Sequence, residues 1–274
     1  MSRPLWVVTL LKKLYPRRFL FARATRVSTI GRLLDRWLFN GDGLIFLPQD
    51  QAVRKISVNE SIEQTDETVV PSTVVEHFIK EASVHWIMDF CLCRAAEKCE
   101  NYPIDLGCLF LGEAALGINP KLGRRVTEAD ALEHVQRCRE AGLVHFVGRN
   151  KLDTVWLGTG PGHKLLTICS CCPCCCLWNV LPHVNRRIND KIRRMPGVTV
   201  TVSERCVGCG SCTEGVCFMD AIRLQEGRAI ISEACKGCGR CVDACPHDAI
   251  DLSIEGDRSI SEAIAHISTL VQLD

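Results

Sequence analysis

The chain has 274 residues, a length that suits about two domains, and its 47% hydrophobic residues suffice for a buried core. Its formal net charge is only +1, yet it carries nineteen cysteines, well beyond ordinary use as small core residues. A secreted disulfide protein and a membrane-spanning one are both excluded as expectations. The apolar run Leu5 to Leu11 is short, is followed by Lys12 and Lys13, and lacks a small-residue cleavage site. Arg23 and Arg26 interrupt the stretch that a twin-arginine signal at Arg17-Arg18 would need, and no window reaches the roughly eighteen uninterrupted apolar residues of a spanning helix. A cytoplasmic protein with reduced thiols free to bind metal is expected.

Residues 3 to 36 carry Arg3, Lys12, Lys13, Arg17, Arg18, Arg23, Arg26, Arg32 and Arg36 against Asp35 alone. With Ser28 as candidate N-cap, Ile30, Leu33, Leu34, Trp37 and Leu38 recur at helical spacing opposite Arg32, Asp35 and Arg36. Such a helix can lie on an anionic membrane as a peripheral contact or dock on an acidic partner, but packing of its apolar face on the rest of the chain is the favoured expectation. Residues 40 to 70 read as a turn, a short strand pair and an acidic connector without identifiable chemistry.

From Pro71 the stripe Val74, Val75, Phe78, Ala82 and Trp86 predicts a helix of about four to five turns. His85 and Asp89 would lie four apart on it, close enough to hydrogen-bond, although a satisfied helix end outweighs catalysis as their use. The segment CLCRAAEKCENYPIDLGC then supplies Cys91, Cys93, Cys99 and Cys108, four soft ligands sufficient for one iron-sulfur cluster or one zinc. Tyr102-Pro103 and Gly107 allow the fold-back that closes such a site, and Arg94 would offset thiolate charge.

Thr127 and Asp130 open a capped helix with Ala131, Leu132, Val135 and Cys138 on one face, so Cys138 reads as core. Leu143 to Val147, Thr154 to Leu157 and Leu165 to Cys169 read as short strands, a helix-then-hairpin order like a winged helix, though scaffold use is expected. The turn GTGPG is too short for a phosphate-binding fingerprint. At CSCCPCCC, the six thiols Cys169, Cys171, Cys172, Cys174, Cys175 and Cys176 cannot all point one way, and Pro173 breaks the run. This loop is expected to donate ligands to a cluster shared with the first segment or to hold one of its own, with a non-cubane or double cluster also compatible; a disulfide, a metal-delivery site or a redox sensor are the alternatives. His163 precedes it, and His77 reads as a surface residue.

Residues 206 to 250 contain two near-copies of one pattern: the triplets Cys206/Cys209/Cys212 and Cys235/Cys238/Cys241, each followed by a remote thiol, Cys217 or Cys245. Zinc sites use paired ligands instead of triplets with remote partners. Gly208, Gly210, Gly237 and Gly239 suit sharp loops that aim amides at sulfur. His247 follows Cys245-Pro246 as a surface or supporting residue. Finally, Ser259 and Glu262 suggest a capping box for a helix packing through Ile260, Ile264, Ile267 and Val271.

On these triplets and the Cys245-Pro246 ending, roughly residues 203 to 254 resemble the bacterial-type two-cluster ferredoxins. That resemblance implies two 4Fe-4S clusters with crossed ligation, Cys245 joining the first triplet and Cys217 the second. The first copy departs from the family: four residues, not three, separate Cys212 from Cys217, and Phe218 stands where proline is usual. Two oxidised clusters would take the net charge from +1 to about −3 and a third to about −5, which disfavours a general nucleic-acid surface. The CxCR and CC-x-CCC segments resemble those of uncharacterised iron-sulfur proteins of anaerobes, which implies one or two further clusters in the centre.

The expected architecture is α+β: a basic amphipathic region at 1–65, a cysteine-rich central domain at 66–200, the two-cluster ferredoxin domain at 201–254 and a C-terminal helix at 255–274. The expected function is low-potential electron transfer to a redox partner protein. A reductase, and hence an oxidoreductase, with its catalytic cluster at CCPCCC is one alternative; a redox or metal sensor is another.

Overall fold

In the computed structural model, which describes residues 3–56 and 70–273, a seven-stranded sheet supplies the frame. Helices α1 (Leu5–Leu14), α2 (Arg18–Ala24) and α3 (Ser28–Leu38) precede strands β1 (Gly43–Phe46) and β2 (Val53–Ile56). The middle of the chain forms α4 (Ser72–Glu81), β3 (His85–Met88), α5 (Leu92–Glu97), β4 (Leu109–Leu111), β5 (Gly123–Val126), α6 (Glu128–Glu140), β6 (Val144–Arg149), α7 (Lys151–Leu157), β7 (Leu166–Cys171), α8 (Arg186–Asn189) and β8 (Ile192–Arg194). The last part forms β9 (Thr199–Val202), β10 (Ile222–Gln225), β11 (Arg228–Ile231), α9 (Arg240–Asp243), β12 (Ile250–Ile254) and α10 (Gly256–Ser268). The class is α+β, as the sequence implies.

The large sheet runs β5-β3-β4-β7-β6-β1-β8 and is antiparallel except for the β1/β8 pair. Side chains alternate between its faces. Ile45, Ile87, Leu109, Leu111, Val147, Leu166 and Ile168 point into one core, shared with Val74, Val75, Phe78 and Ile79 of α4 and with Ile260 and Ile267 of α10. On the opposite face Leu44, Phe46, Val144, Phe146 and Cys171 build a second core with Trp178 and Phe218. The cysteine sulfurs of β7 therefore emerge on the side away from α4 and α10.

The second sheet, β2-β12-β9, joins β12 in parallel to β2 and antiparallel to β9, while β10 and β11 form a separate hairpin. Packing does not follow the four-part division drawn along the sequence. Strand β1 belongs to the central sheet, β2 completes the C-terminal sheet, and α10 packs on α4. Nor do β1 and β2 pair with each other; the acidic connector lies outside the described residues.

Several expected elements differ. Helix α4 stops at Glu81, and Trp86, at helical spacing from its stripe, lies in β3, where hydrogen bonding to both β4 and β5 outweighs that spacing. His85 and Asp89 are therefore not on a helix: His85 Nε2 lies 2.6 Å from the Ile79 carbonyl, and Asp89 accepts from Arg124 at 2.9 Å. Thr154–Leu157 belongs to helix α7, capped by Asn150, so the helix-then-hairpin likeness to a winged helix ends there. Ser28 is the first residue of α3, with Val27 in the cap position. Helix α10 begins at Gly256, so Ser259 is buried inside it and Glu262 pairs with Arg258. Helix α6 does carry the Thr127/Asp130 capping box, and Cys138 on it is fully buried beside His134.

Phe78, 1% exposed, is the largest side chain that α4 sends into the shared core. Phe78→Ala is expected to cost about 3–5 kcal/mol, read as a lower denaturation midpoint for the whole chain.

Candidate metal centres

In the C-terminal module the loops bring each triplet to the other copy's remote thiol. Cys206, Cys209, Cys212 and Cys245 line one recess, and Cys217, Cys235, Cys238 and Cys241 line a second. Gly208 and Gly237, both at φ +69, make the left-handed turns inside the triplets that a side chain would strain. Backbone amides point at the sulfurs: Ala229 donates to Cys206 and Ala249 to Cys245 at 3.3 Å, while Met219 and Ala221 donate to Cys217 at 3.4 and 3.3 Å. Such donors hold thiolate charge and tune a bound metal. Burial pushes the Cys238 thiol up to about 12 and raises Cys241 as well. These sulfurs shed their protons when a cation takes the protons' place.

The ten central thiols converge from two segments, but their grouping differs from the spacing-based expectation. Cys91, Cys93, Cys99 and Cys108 do not close one site. Left-handed Lys98, at φ 52, ends α5 and turns Cys99 away from the others. The Cys99, Cys172, Cys174 and Cys175 sulfurs all lie within 4.8 Å of one another, close enough to hold a metal ion. The remaining six form a second array. Cys91 and Cys93 share a hydrogen bond, Cys108 lies 3.7 Å from Cys169, and Cys171 bonds both Cys169 and Cys176. Strand alternation explains the split: Cys169 and Cys171 project from one face of β7, whereas Cys172 starts the turn beyond it.

Between the two arrays lies Arg94, 0% exposed. Its Nη1 donates to the Ser170 carbonyl at 2.8 Å and its Nη2 to the Leu106 carbonyl, while Nε has no partner among the described residues. Burial would lower the arginine's pKa; the Cys91, Cys171, Cys172 and Cys108 thiolates outweigh it and raise it. In return the Cys93 hydrogen bond, with the Arg94 charge, overcomes burial and lowers Cys91 to about 7. Burial raises Cys171 well above its ordinary value and Cys172 to about 11. One guanidinium cannot neutralise ten gathered thiols, and the soft, inward donor set fits iron or zinc.

Several contributors were not legible along the sequence. Tyr15 is buried, donates to the Cys175 carbonyl at 2.7 Å and hydrogen-bonds Cys93, so it touches both arrays. Arg18 stacks 4.4 Å above its ring and pairs with Glu97. Asp153 lies close to Cys169 and accepts from Asn150, Thr167 and Trp156 at 2.7, 2.9 and 2.8 Å; burial, then the Cys169 charge, lifts its carboxyl to about 7. A further contributor is aromatic. Phe218, which follows Cys217, meets Phe46 and Phe146 edge-on at 5.7 and 5.9 Å, and Phe146 stacks on Trp178 at 6.2 Å. Cys171 and Cys176 pack in the same cluster as Cys217, Cys235 and Cys238. On the other flank Arg240, beside Cys241, donates to the Tyr102 hydroxyl at 3.0 Å, and Tyr102 packs with Cys99, Cys172 and Cys175.

Of the histidines weighed from sequence, His77 pairs with Glu81 at 3.2 Å, His163 is exposed, and exposed His247 borders the Cys206 recess. The profile of the LdpA Fe-S cluster-binding domain matches residues 213–254, a stretch that contains Cys217, Cys235, Cys238, Cys241 and Cys245. Neither a curated protein nor a solved structure matches the chain. The chain thus carries an iron-sulfur cluster-binding segment near its C-terminus.

Replacing Arg94 by Met removes the buried cation and two carbonyl contacts, at an expected cost of about 3–5 kcal/mol. Metal analysis should find less metal per chain in R94M, with part of the loss restored in R94K.

Proposed function

We propose that this iron-sulfur protein transfers electrons. Cys206, Cys209, Cys212 and Cys245 would hold one 4Fe-4S cluster, Cys235, Cys238, Cys241 and Cys217 a second, and the six-thiol and four-thiol arrays further iron-sulfur clusters. Iron-sulfur clusters supply reversible one-electron storage at potentials set by cluster type, net charge, hydrogen bonds to the sulfurs and solvent exposure. The residues of the chain hold the sulfurs, exclude water and set the electrostatics around them.

The observation that carries this reading is the packed aromatic contact between modules. Phe218 leaves Cys217 directly for Phe46 and Phe146, whose neighbours include Cys171 and Cys176. Electron exchange needs proximity through packed protein and no substrate pocket; the second ferredoxin site shares one apolar cluster with Cys171 and Cys176 of the six-thiol array, and Arg240 beside it reaches Tyr102, which packs with Cys99, Cys172 and Cys175. The first ferredoxin recess is bordered by exposed Cys209 and His247, a suitable face for a redox partner protein. A reductase is the second reading, favoured by exposed Cys174 and by the open recess beside Cys99 that Tyr102 and Asp105 line.

Anaerobic purification with iron and sulfide counting tests the assignment. About eight irons per chain would confine clusters to the C-terminal module and end the relay reading, whereas about twelve to sixteen are expected. Phe218→Ala should leave the iron count intact but slow reduction of the central clusters after rapid mixing with a low-potential donor, followed by freeze-quench paramagnetic resonance. For the reductase reading, a small molecule that alters the central signal would favour it over simple relay.

A further inference from the structure

The N-terminal helices do only half of what an amphipathic segment normally does. Their inner side seals the thiol arrays: Tyr15 reaches Cys93 and Cys175, Lys12 sits 4.1 Å over Phe90, and Thr25 receives the Asn185 amide at 2.9 Å. Their outer side is not covered. Of the fourteen exposed large apolar side chains among the described residues, nine fall between Leu5 and Trp37. Trp6 at 65%, Phe21 at 54%, Leu33 at 59% and Trp37 at 69% exposure are far from core values. Ile30, Leu33 and Trp37 form one stripe along α3, while Gly31 faces inward against Thr25.

Charge identifies what would cover this surface. Residues 3 to 36 hold nine cations, and their single anion, Asp35, is already paired with Lys191. Exposed Arg23, Arg26, Arg32 and Arg36 are interspersed with the apolar side chains. Two tryptophans among cations on convex helices match the boundary between anionic headgroups and acyl chains, where an indole buries its body and keeps its N–H near water. Among the described residues no helix is long and apolar enough to cross a membrane, so the contact is peripheral. We propose that the outer face of α1, α2 and α3 docks the protein on an anionic lipid surface and holds the central thiol arrays just beneath it.

The test is co-sedimentation of the full, metal-loaded chain with vesicles of phosphatidylcholine alone or with added phosphatidylglycerol, alongside light scattering. Binding is expected with the anionic vesicles only, weakening as salt rises. Trp6→Ser with Trp37→Ser should weaken it about tenfold or more, and Arg32→Gln with Arg36→Gln likewise. All four positions are exposed, so an unchanged visible spectrum reports intact folding. No binding at low salt would overturn the proposal. So would full binding by the tryptophan variant, or dimers of the parent chain that its substitutions dissolve, which would assign the face to a second copy. Vesicle binding requires no electron transfer, so its failure is distinct from failure of the relay.

Discussion

A thiolate taken out of water must meet positive charge, and that requirement organises this protein. Ten cysteine sulfurs from two separated segments collect on one side of a seven-stranded sheet, where burial alone pushes Cys171, Cys172 and Cys176 toward the protonated form. The chain supplies one fully buried guanidinium, Arg94, tied to two carbonyls and placed between the arrays. Metal cations would complete the balance; without them the same packing would bury charge without a partner, or a set of inert thiols. Tyr15, with Arg18 stacked on its ring, then packs against the arrays from the N-terminal helices.

The C-terminal module is joined to this centre in a way that an independent ferredoxin would not need. Its sheet borrows β2 from the N-terminal part, its trailing helix α10 lies on α4, and Phe218 fills the place of the usual proline. That departure from the pattern the segment resembles has a use in the packing. A proline after Cys217 could not reach Phe46 and Phe146, so the ring serves as the interdomain core that the consensus residue cannot provide.

What the sequence discloses is what is local. Triplet spacing and glycine positions belong to one loop design, and the Thr127/Asp130 cap is settled within four residues; the crossing of Cys217 and Cys245 is not local and is implied only by the resemblance to two-cluster ferredoxins. The partition of the ten central thiols is not local: it depends on left-handed Lys98 turning Cys99 aside and on where β7 ends, between Cys171 and Cys172. Periodicity failed where chance aligned it, as with Trp86, whose strand partners lie at Phe110 and Arg125. The Phe46, Phe146, Trp178 and Phe218 contact joins four distant segments and leaves no pattern in any one of them. The stripe on α3 is periodic as expected, yet its burial was the wrong inference from that periodicity, because an amphipathic face does not say what it faces.

The parallel pairing of β2 with β12 also constrains how the molecule is made. Val53 lies opposite Leu252, so β2 stays an open edge until β12, far along the sequence, is in place beside it. Such an edge is prone to pair wrongly, and contacts of this sequence separation form late. Pairing β12 with both β2 and β9 therefore ties a strand that precedes most of the central sheet to two that follow it, so the small sheet closes only around an already ordered centre.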